Sequence, residues 1–473
     1  MGIADIADGI ARTIESTQDS VSAYLFEPVV RLGVTGLSRS GKTVFITSLV
    51  ANLLNRGRMP QLAAASEGRV LAAYLQPQPD DEVPRFDYER HLRDLTGPEP
   101  RWPESTRRIS QLRLSLRVAG GGLLSGLTGP RTVHLDIVDY PGEWLLDLPL
   151  LRQSYDEWSK EAIELARSTG RENLSGEWLA LTEGTAPGEK LDETAARQHS
   201  AAFTAYLRAA REAGFSACSP GRFLMPGDLA GSPALTFAPL PKPAQRKRGT
   251  LYAACERRFE AYKRIVVKPF FRNHFARIDR QIVLVDALGA IHSGPRATED
   301  MQDAMAAVLR CFRPGANSWL SPLLGHKVEK ILFAATKADH LHHAQHGKLT
   351  AIMQAMVREA RDRADFRGAK TRSIAMAALR ATVEQTLDHR GKKLDCVRGT
   401  LEGSGKPAAL YAGELPDNPD DLLLHGGDGE RWLTGDFSVM RFLPPRLGLK
   451  PGVGPPHIRL DRAMEFLIGD CLR

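Results

Sequence analysis

Cysteine is scarce in this 473-residue chain: Cys218, Cys255, Cys311, Cys396 and Cys471 stand far apart and form no CxxC pair. That spacing excludes a disulfide framework and a zinc knuckle, and it suits a reducing compartment. Apolar runs of about 18 residues are missing, as is a basic start followed by an apolar stretch, so neither a membrane-spanning helix nor a signal peptide is predicted. Neither sign of charge dominates: 63 Lys and Arg against 56 Asp and Glu leave a net +7. Spread over this length, the excess demands no anionic partner. The expectation is a cytoplasmic protein with no specific nucleic-acid partner. A hydrophobic content of 42% supports a large core, and the length corresponds to about two or three domains.

What is present is alternation of strand and helix. Val29 to Val34, Leu112 to Val118, Val133 to Val138, Gln281 to Asp286, Val328 to Ala335 and the shorter Ser373 to Ala378 read as buried strands. Helical patterns separate most of them, which predicts an α/β fold with a mainly parallel sheet whose ligands lie at the carboxyl ends of strands. Ile3, Ile6, Ile10 and Ile14 mark an amphipathic helix over 1–27, packed on the main domain or touching a membrane surface or a partner. The predicted organisation continues with a nucleotide-binding core in two parts, 28–148 and 269–394. A mostly helical insertion over 149–268 divides them, with helices near Ser154 to Arg167 and Leu191 to Ala213. A loop-rich insertion (395–435) and a final strand and helix (436–473) complete the chain.

Gly36-Leu37-Ser38-Arg39-Ser40-Gly41-Lys42-Thr43 matches G-x-x-x-x-G-K-T between a predicted strand and a predicted helix. Glycines there let backbone N–H groups turn around a β-phosphate at the positive end of the helix, with Val44 next in line. Lys42 is the candidate bridge between β- and γ-phosphate oxygens, and Thr43 the candidate hydroxyl ligand of Mg²⁺. Asp139-Tyr140-Pro141-Gly142 ends a strand as D-x-x-G, making Asp139 the second magnesium contact and the Gly142 N–H a γ-phosphate contact. Asp136, three residues earlier, projects to the other strand face and reads as structural. Thr336-Lys337-Ala338-Asp339 ends another strand. A carboxylate at Asp339 can accept both the N1 proton and the exocyclic amine of guanine, a donor pair adenine lacks. Lys337 is expected along the base, and Ser373 to Arg380 as the next strand and base-contacting loop. For a switch residue closing over Mg²⁺, Thr106 is the candidate, with Ser105 second.

The run Gly33 to Thr43, the block Asp139-Tyr140-Pro141-Gly142-Glu143-Trp144, Trp102-Pro103, Gln281 to Leu288 and Thr336 to Asp339 together resemble the YcjX-like family of bacterial P-loop NTPases. The resemblance implies a Ras-like GTPase core with large insertions, GTP and GDP binding with Mg²⁺, slow hydrolysis and a role in bacterial stress responses. Ras-like switches often carry a glutamine after D-x-x-G to orient the attacking water. This chain has Glu143, a candidate catalytic residue that serves as a base, as a structural cap, or is turned away. Two rivals remain: an ATPase or kinase using the same loop, and a nucleotide-stabilised binding module whose insertion recruits a protein partner. Weaker signals have plain readings: His340, His342, His343 and His346 as a solvated helix face, Lys242 to Arg248 as a solvated loop, and Gly403-Ser404-Gly405-Lys406 as a turn, because Pro407 replaces the metal-binding hydroxyl.

Overall fold

A computed structural model describes residues 27–36, 40–104, 108–120, 129–311, 328–358, 361–362, 368–420 and 441–473. The helix expected before residue 27 therefore lies outside the described residues, as do Ser38, Arg39, Ser105 and Thr106. Seven strands, β1 (Val29–Gly36), β2 (Val70–Gln76), β3 (Ser110–Val118), β4 (Arg131–Asp139), β5 (Arg280–Val285), β6 (Lys330–Ala335) and β7 (Lys370–Ala375), form one sheet ordered β2-β3-β4-β1-β5-β6-β7. From β4 to β7 every neighbouring pair is parallel, whereas β3 and β2 add an antiparallel edge. The fold is α/β with a mostly parallel sheet flanked by helices. The sequence reading did not include β2, and its exposure explains why: Leu71 and Tyr74 face solvent, so no clean apolar run marks it.

Every residue of β5 and β6 is buried, as central parallel strands covered on both faces require. Strand alternation then divides the core in two. Ile282, Leu284, Leu332 and Ala334 enter a core shared with the helix after β1, α1 (Lys42–Asn55), and with the last helix of the chain. Val283, Val285, Phe333 and Ala335 enter the core on the opposite face, together with Trp158, Trp178 and Phe203. Those three aromatic residues belong to α2 (Tyr155–Ala166), α3 (Glu172–Glu183) and α4 (Glu193–Glu212), which with α5 (Leu251–Tyr262) lie between β4 and β5 in the chain. A capping box at Ser154 and Glu157 starts α2, and Asp192 caps α4. These helices bury their aromatic faces in the core that covers one side of the sheet.

Two segments differ from the sequence reading. Part of the stretch expected to be irregular from 395 onwards is an antiparallel three-stranded sheet, β8 (Val383–His389), β9 (Lys392–Thr400) and β10 (Pro407–Leu410). Its strands are mostly exposed and rich in charge, so hydrophobic periodicity gives no signal. Backbone turns set the register instead: Arg390 and Gly391 both have positive φ, as a two-residue hairpin turn demands, and Gly403 to Lys406 is the tight connection from β9 to β10. Between 441 and the last helix, α8 in the numbering below, the expected strand is replaced among the described residues by isolated bridges, Leu401 with Phe442 and Ala377 with Ile458. The remaining helices used below are α6 (Pro295–Cys311), α7 (His346–Met356) and α8 (Leu460–Ile468).

Asp136 is structural, as expected. It stands opposite Arg113 in the β3–β4 register, and the two side chains, 7% and 6% exposed, form a two-pronged ion pair at 2.6 and 2.8 Å. Truncating one member of such a pair strands the other charge in the core. Asp136→Ala is expected to lower unfolding free energy by roughly 3–5 kcal/mol in urea denaturation; a loss below about 1 kcal/mol would show that water reaches Arg113.

Candidate nucleotide-binding site

β1 runs to Gly36, where a Cβ would come within 2.2 Å of Ser40 Oγ and 2.9 Å of the Leu284 carbonyl, so the position tolerates no side chain. Gly41, at φ +79°, supplies the left-handed residue from which α1 begins, without a side-chain cap. The first turn of α1 opens on a cavity of about 360 Å³. Ser40, Gly41, Lys42, Thr43 and Val44 line one side of it. All parallel strands of the sheet end towards this cavity, and the register sets Asp139 at the end of β4 beside Val34 of β1. Asp139, Gly142 and Gly36 are not among the residues that line the cavity, and Asp139 is 2% exposed.

The opposite side is built by the ends of β6 and β7. Thr336, Lys337 and Asp339 line it with Met376, Ala377, Ala378 and Leu379. Asp339 is fixed from behind: its Oδ2 accepts from Ala381 N at 2.8 Å, and its carbonyl accepts from the Thr382 hydroxyl. Lys337 has the left-handed φ of +58°, uncommon for a residue with a side chain. Its ammonium pairs with Asp286, whose carboxylate also accepts from Gly289 N at 3.0 Å to cap the helix after β5. The C-terminal segment supports this wall. Arg459 donates to the Ala375 carbonyl at 3.0 Å, and Trp102 Nε1 donates to the Phe442 carbonyl at 2.7 Å at the cavity rim.

Glu143 lines the same cavity although the residue is only 6% exposed. It opens a 3-10 segment, Gly142–Arg152, which carries the chain into the helical core. Its carboxylate accepts from Arg211 in the last turn of α4 at 2.9 Å. Arg211 also lines the cavity, and no motif flags it in the sequence: it is one of three arginines on an amphipathic helix. Further along, Trp144 donates to the Met225 carbonyl at 3.0 Å under the Arg222 guanidinium. Asp147 accepts from Gly221 N at 2.6 Å and from the Tyr262 hydroxyl at 2.5 Å. Gly221 must be glycine, since a Cβ would lie 1.8 Å from the Glu143 carbonyl oxygen.

A family profile described as "YcjX-like family, DUF463" matches residues 30–472. The chain belongs to that family. Two relatives called "Ras-like GTPase YcjX" agree with the assignment. The one from Escherichia coli (strain K12) is 40% identical over 456 residues, covering 94% of this chain and 96% of the relative. The one from Shewanella oneidensis is 34% identical over 498 aligned positions, spanning 100% of both.

In this YcjX-like chain the histidines after Asp339 are not a solvated helix face. Two short 3-10 turns, Ala338–His340 and His343–Gln345, precede α7, which begins at His346, so the rings turn to different sides. His340 and His346 are buried, with His346 Nε2 2.8 Å from the Ala338 carbonyl, while His342 and His343 gather around Glu384 of β8. The basic loop is partly neutralised: Lys242 and Arg246 pair with Asp156, and Arg246 also with Glu256. No described helix is long and apolar enough to cross a membrane.

Burial raises the Asp147 carboxyl from 3.8 to about 6, against the opposing pull of its Tyr262 and Gly221 hydrogen bonds. A folded-state value above the unfolded one means that this contribution to stability is complete below about pH 4 and is lost as pH rises through about 6. Relative to the wild type, Asp147→Asn should therefore gain roughly 3 kcal/mol of unfolding free energy between pH 3.5 and pH 7. A difference between the two proteins that stays flat across that window would place the titration elsewhere.

Proposed function

We propose that the chain is a Mg²⁺-dependent GTP-binding protein that hydrolyses GTP slowly and acts as a nucleotide-dependent switch. One observation carries this reading: Ser40, Gly41, Lys42 and Thr43, which follow β1, and Asp339, which follows β6 two strands away, line the same cavity. A phosphate-binding half and a base-reading half facing each other are what a nucleotide needs. The names of the two relatives point the same way.

In this reading the backbone from Gly36 to Val44, including Ser38, Arg39 and Ser40, wraps the β-phosphate. Lys42 bridges to the γ-phosphate, the Gly142 N–H contacts the γ-phosphate, and Thr106 closes over it. Thr43 and Asp139 would hold Mg²⁺: a hydroxyl and a carboxylate are the oxygen donors a hard cation takes when phosphates and water complete its shell. The ion would neutralise charge on the β- and γ-phosphate oxygens. Asp339, with one oxygen committed to Ala381 N, turns the other to the guanine edge. Lys337 flanks the base while its ammonium holds Asp286. Glu143 has no amide with which to orient water, and its charge is matched by Arg211. Turnover in the range of intrinsic switch rates, roughly 10⁻⁴ to 10⁻² s⁻¹, follows. The stress-response role rests on the family resemblance.

Titrating nucleotide-free protein with GDP, GTP, ADP and ATP tests the reading: guanine nucleotides alone should bind, and equal binding of adenine nucleotides would make this a general P-loop ATPase. Asp339→Asn should weaken GDP by about 100-fold, the loss of about 3 kcal/mol in charge-assisted hydrogen bonds. It should bind xanthosine diphosphate instead, because Asn can still accept from Ala381 N while its amide donates to the xanthine 2-oxygen. Unchanged GDP affinity in this variant would remove Asp339 from the base site.

A further inference from the structure

Glu143 follows Gly142, the residue assigned to the γ-phosphate, and the side chain bound to Glu143 is contributed from far along the chain. Arg211 stands in the last turn of α4, lines the cavity together with Lys42 and Thr43, and donates to Glu143 at 2.9 Å. We propose that Arg211 is a catalytic arginine, delivered within the same chain by the helical insertion, that binds the γ-phosphate during GTP hydrolysis. The inference rests on the GTPase reading and adds to it the group that stabilises the transferring phosphoryl.

The chemistry defines what such a group must do. Water attacks the γ-phosphorus and the bond from that phosphorus to the β–γ bridging oxygen breaks. The electron pair of that bond stays on GDP, and the protons of the water are shared between inorganic phosphate and solvent. Negative charge grows on the bridging oxygen and spreads over the γ-oxygens as the bond lengthens. A guanidinium is permanently charged, planar and able to donate to two oxygens at once, so it matches that charge better than the flexible ammonium of a lysine.

Position and mounting agree with the role. The Arg211 side chain is 24% exposed, able to reach a ligand in the cavity yet screened from bulk water. The segment that follows α4 is tied to the GTPase core: Ala217 N donates to Asp300 of α6 at 2.9 Å, and the same carboxylate pairs with Arg171 before α3. Gly221 then packs against the Glu143 backbone and donates to Asp147. The insertion therefore grips the segment after D-x-x-G at its side chain and its backbone. Glu143 acts as the cradle that aims Arg211, which also explains why a carboxylate is tolerated beside a triphosphate: its charge is already paired. Displacing α4 would withdraw Arg211 and slow hydrolysis without dismantling the nucleotide site.

The test uses full-length protein and the variants Arg211→Ala, Arg211→Lys and Arg211→Ala combined with Glu143→Gln. Each is measured for single-turnover GTP hydrolysis, GDP affinity, and capture of aluminium fluoride by the GDP-bound protein with Mg²⁺. The double variant matters because removing Arg211 alone strands the Glu143 carboxylate. All three should hydrolyse at least about 100-fold more slowly, bind GDP within about threefold of the wild type, and fail to capture aluminium fluoride. Hydrolysis by the double variant within about threefold of the wild type would overturn the proposal, as would GDP affinity falling in proportion to the rate. Wild-type protein that binds no GDP would refute the nucleotide assignment and Arg211 with it, an outcome the GDP titration separates from the other two.

Discussion

Five parallel strands with buried side chains on both faces need apolar cover twice over, and the rest of the molecule is arranged to supply it. On one face α1 and α8 supply much of it, joined by Met59, Leu62, Phe86 and Tyr88. On the other, α7 packs on β6 and β7 and α6 joins the same core, which the long excursion between β4 and β5 enlarges with its tryptophans and phenylalanines. The excursion begins directly after Asp139, at the carboxyl end of a central strand. Covering the sheet and bordering the cavity are therefore done by the same piece of chain, and the segment after D-x-x-G is buried as a consequence.

Charge in the cavity is handled in pairs. Lys337 holds Asp286, Arg211 holds Glu143, and Asp339 is braced by backbone and hydroxyl donors. Each pairing keeps an ionised group oriented while the cavity stays open. A polyanionic ligand adds further negative charge, which the backbone N–H groups at the start of α1, Lys42 and a guanidinium beside Glu143 are suited to meet. Glu402 in the turn between β9 and β10, with Arg441 and Phe442, also lines the cavity, so residues remote in sequence close the site.

The motifs that carry chemistry were legible because each is a contiguous strand-to-loop transition. Gly36 to Thr43 needs its glycines and its following helix within a few residues, and Thr336 to Asp339 announces itself by the apolar run before it. Strands β5 and β6 were legible for the related reason that burial on both faces leaves long apolar runs, and β1, β3, β4 and β7 through the shorter apolar stretches they carry between polar residues such as Arg113, His134 and Asp136. Edge strand β2 and the charged hairpin β8–β9 were not, since one is half exposed and the other takes its register from turn geometry. The histidines after Asp339 share no helix face because two separate 3-10 turns and the start of α7 carry them.

By itself, then, the sequence determined the α/β class and pointed to the candidate phosphate loop, the D-x-x-G strand end and the candidate base-reading carboxylate, all of them features in which chemistry and local backbone are encoded together. Tertiary structure alone decided that Arg113 neutralises Asp136, that Lys337 turns its ammonium to Asp286, and that Arg211 meets Glu143. Ion pairs of this kind depend on strand register and on how helices dock over a sheet, and neither is written in any short stretch of residues.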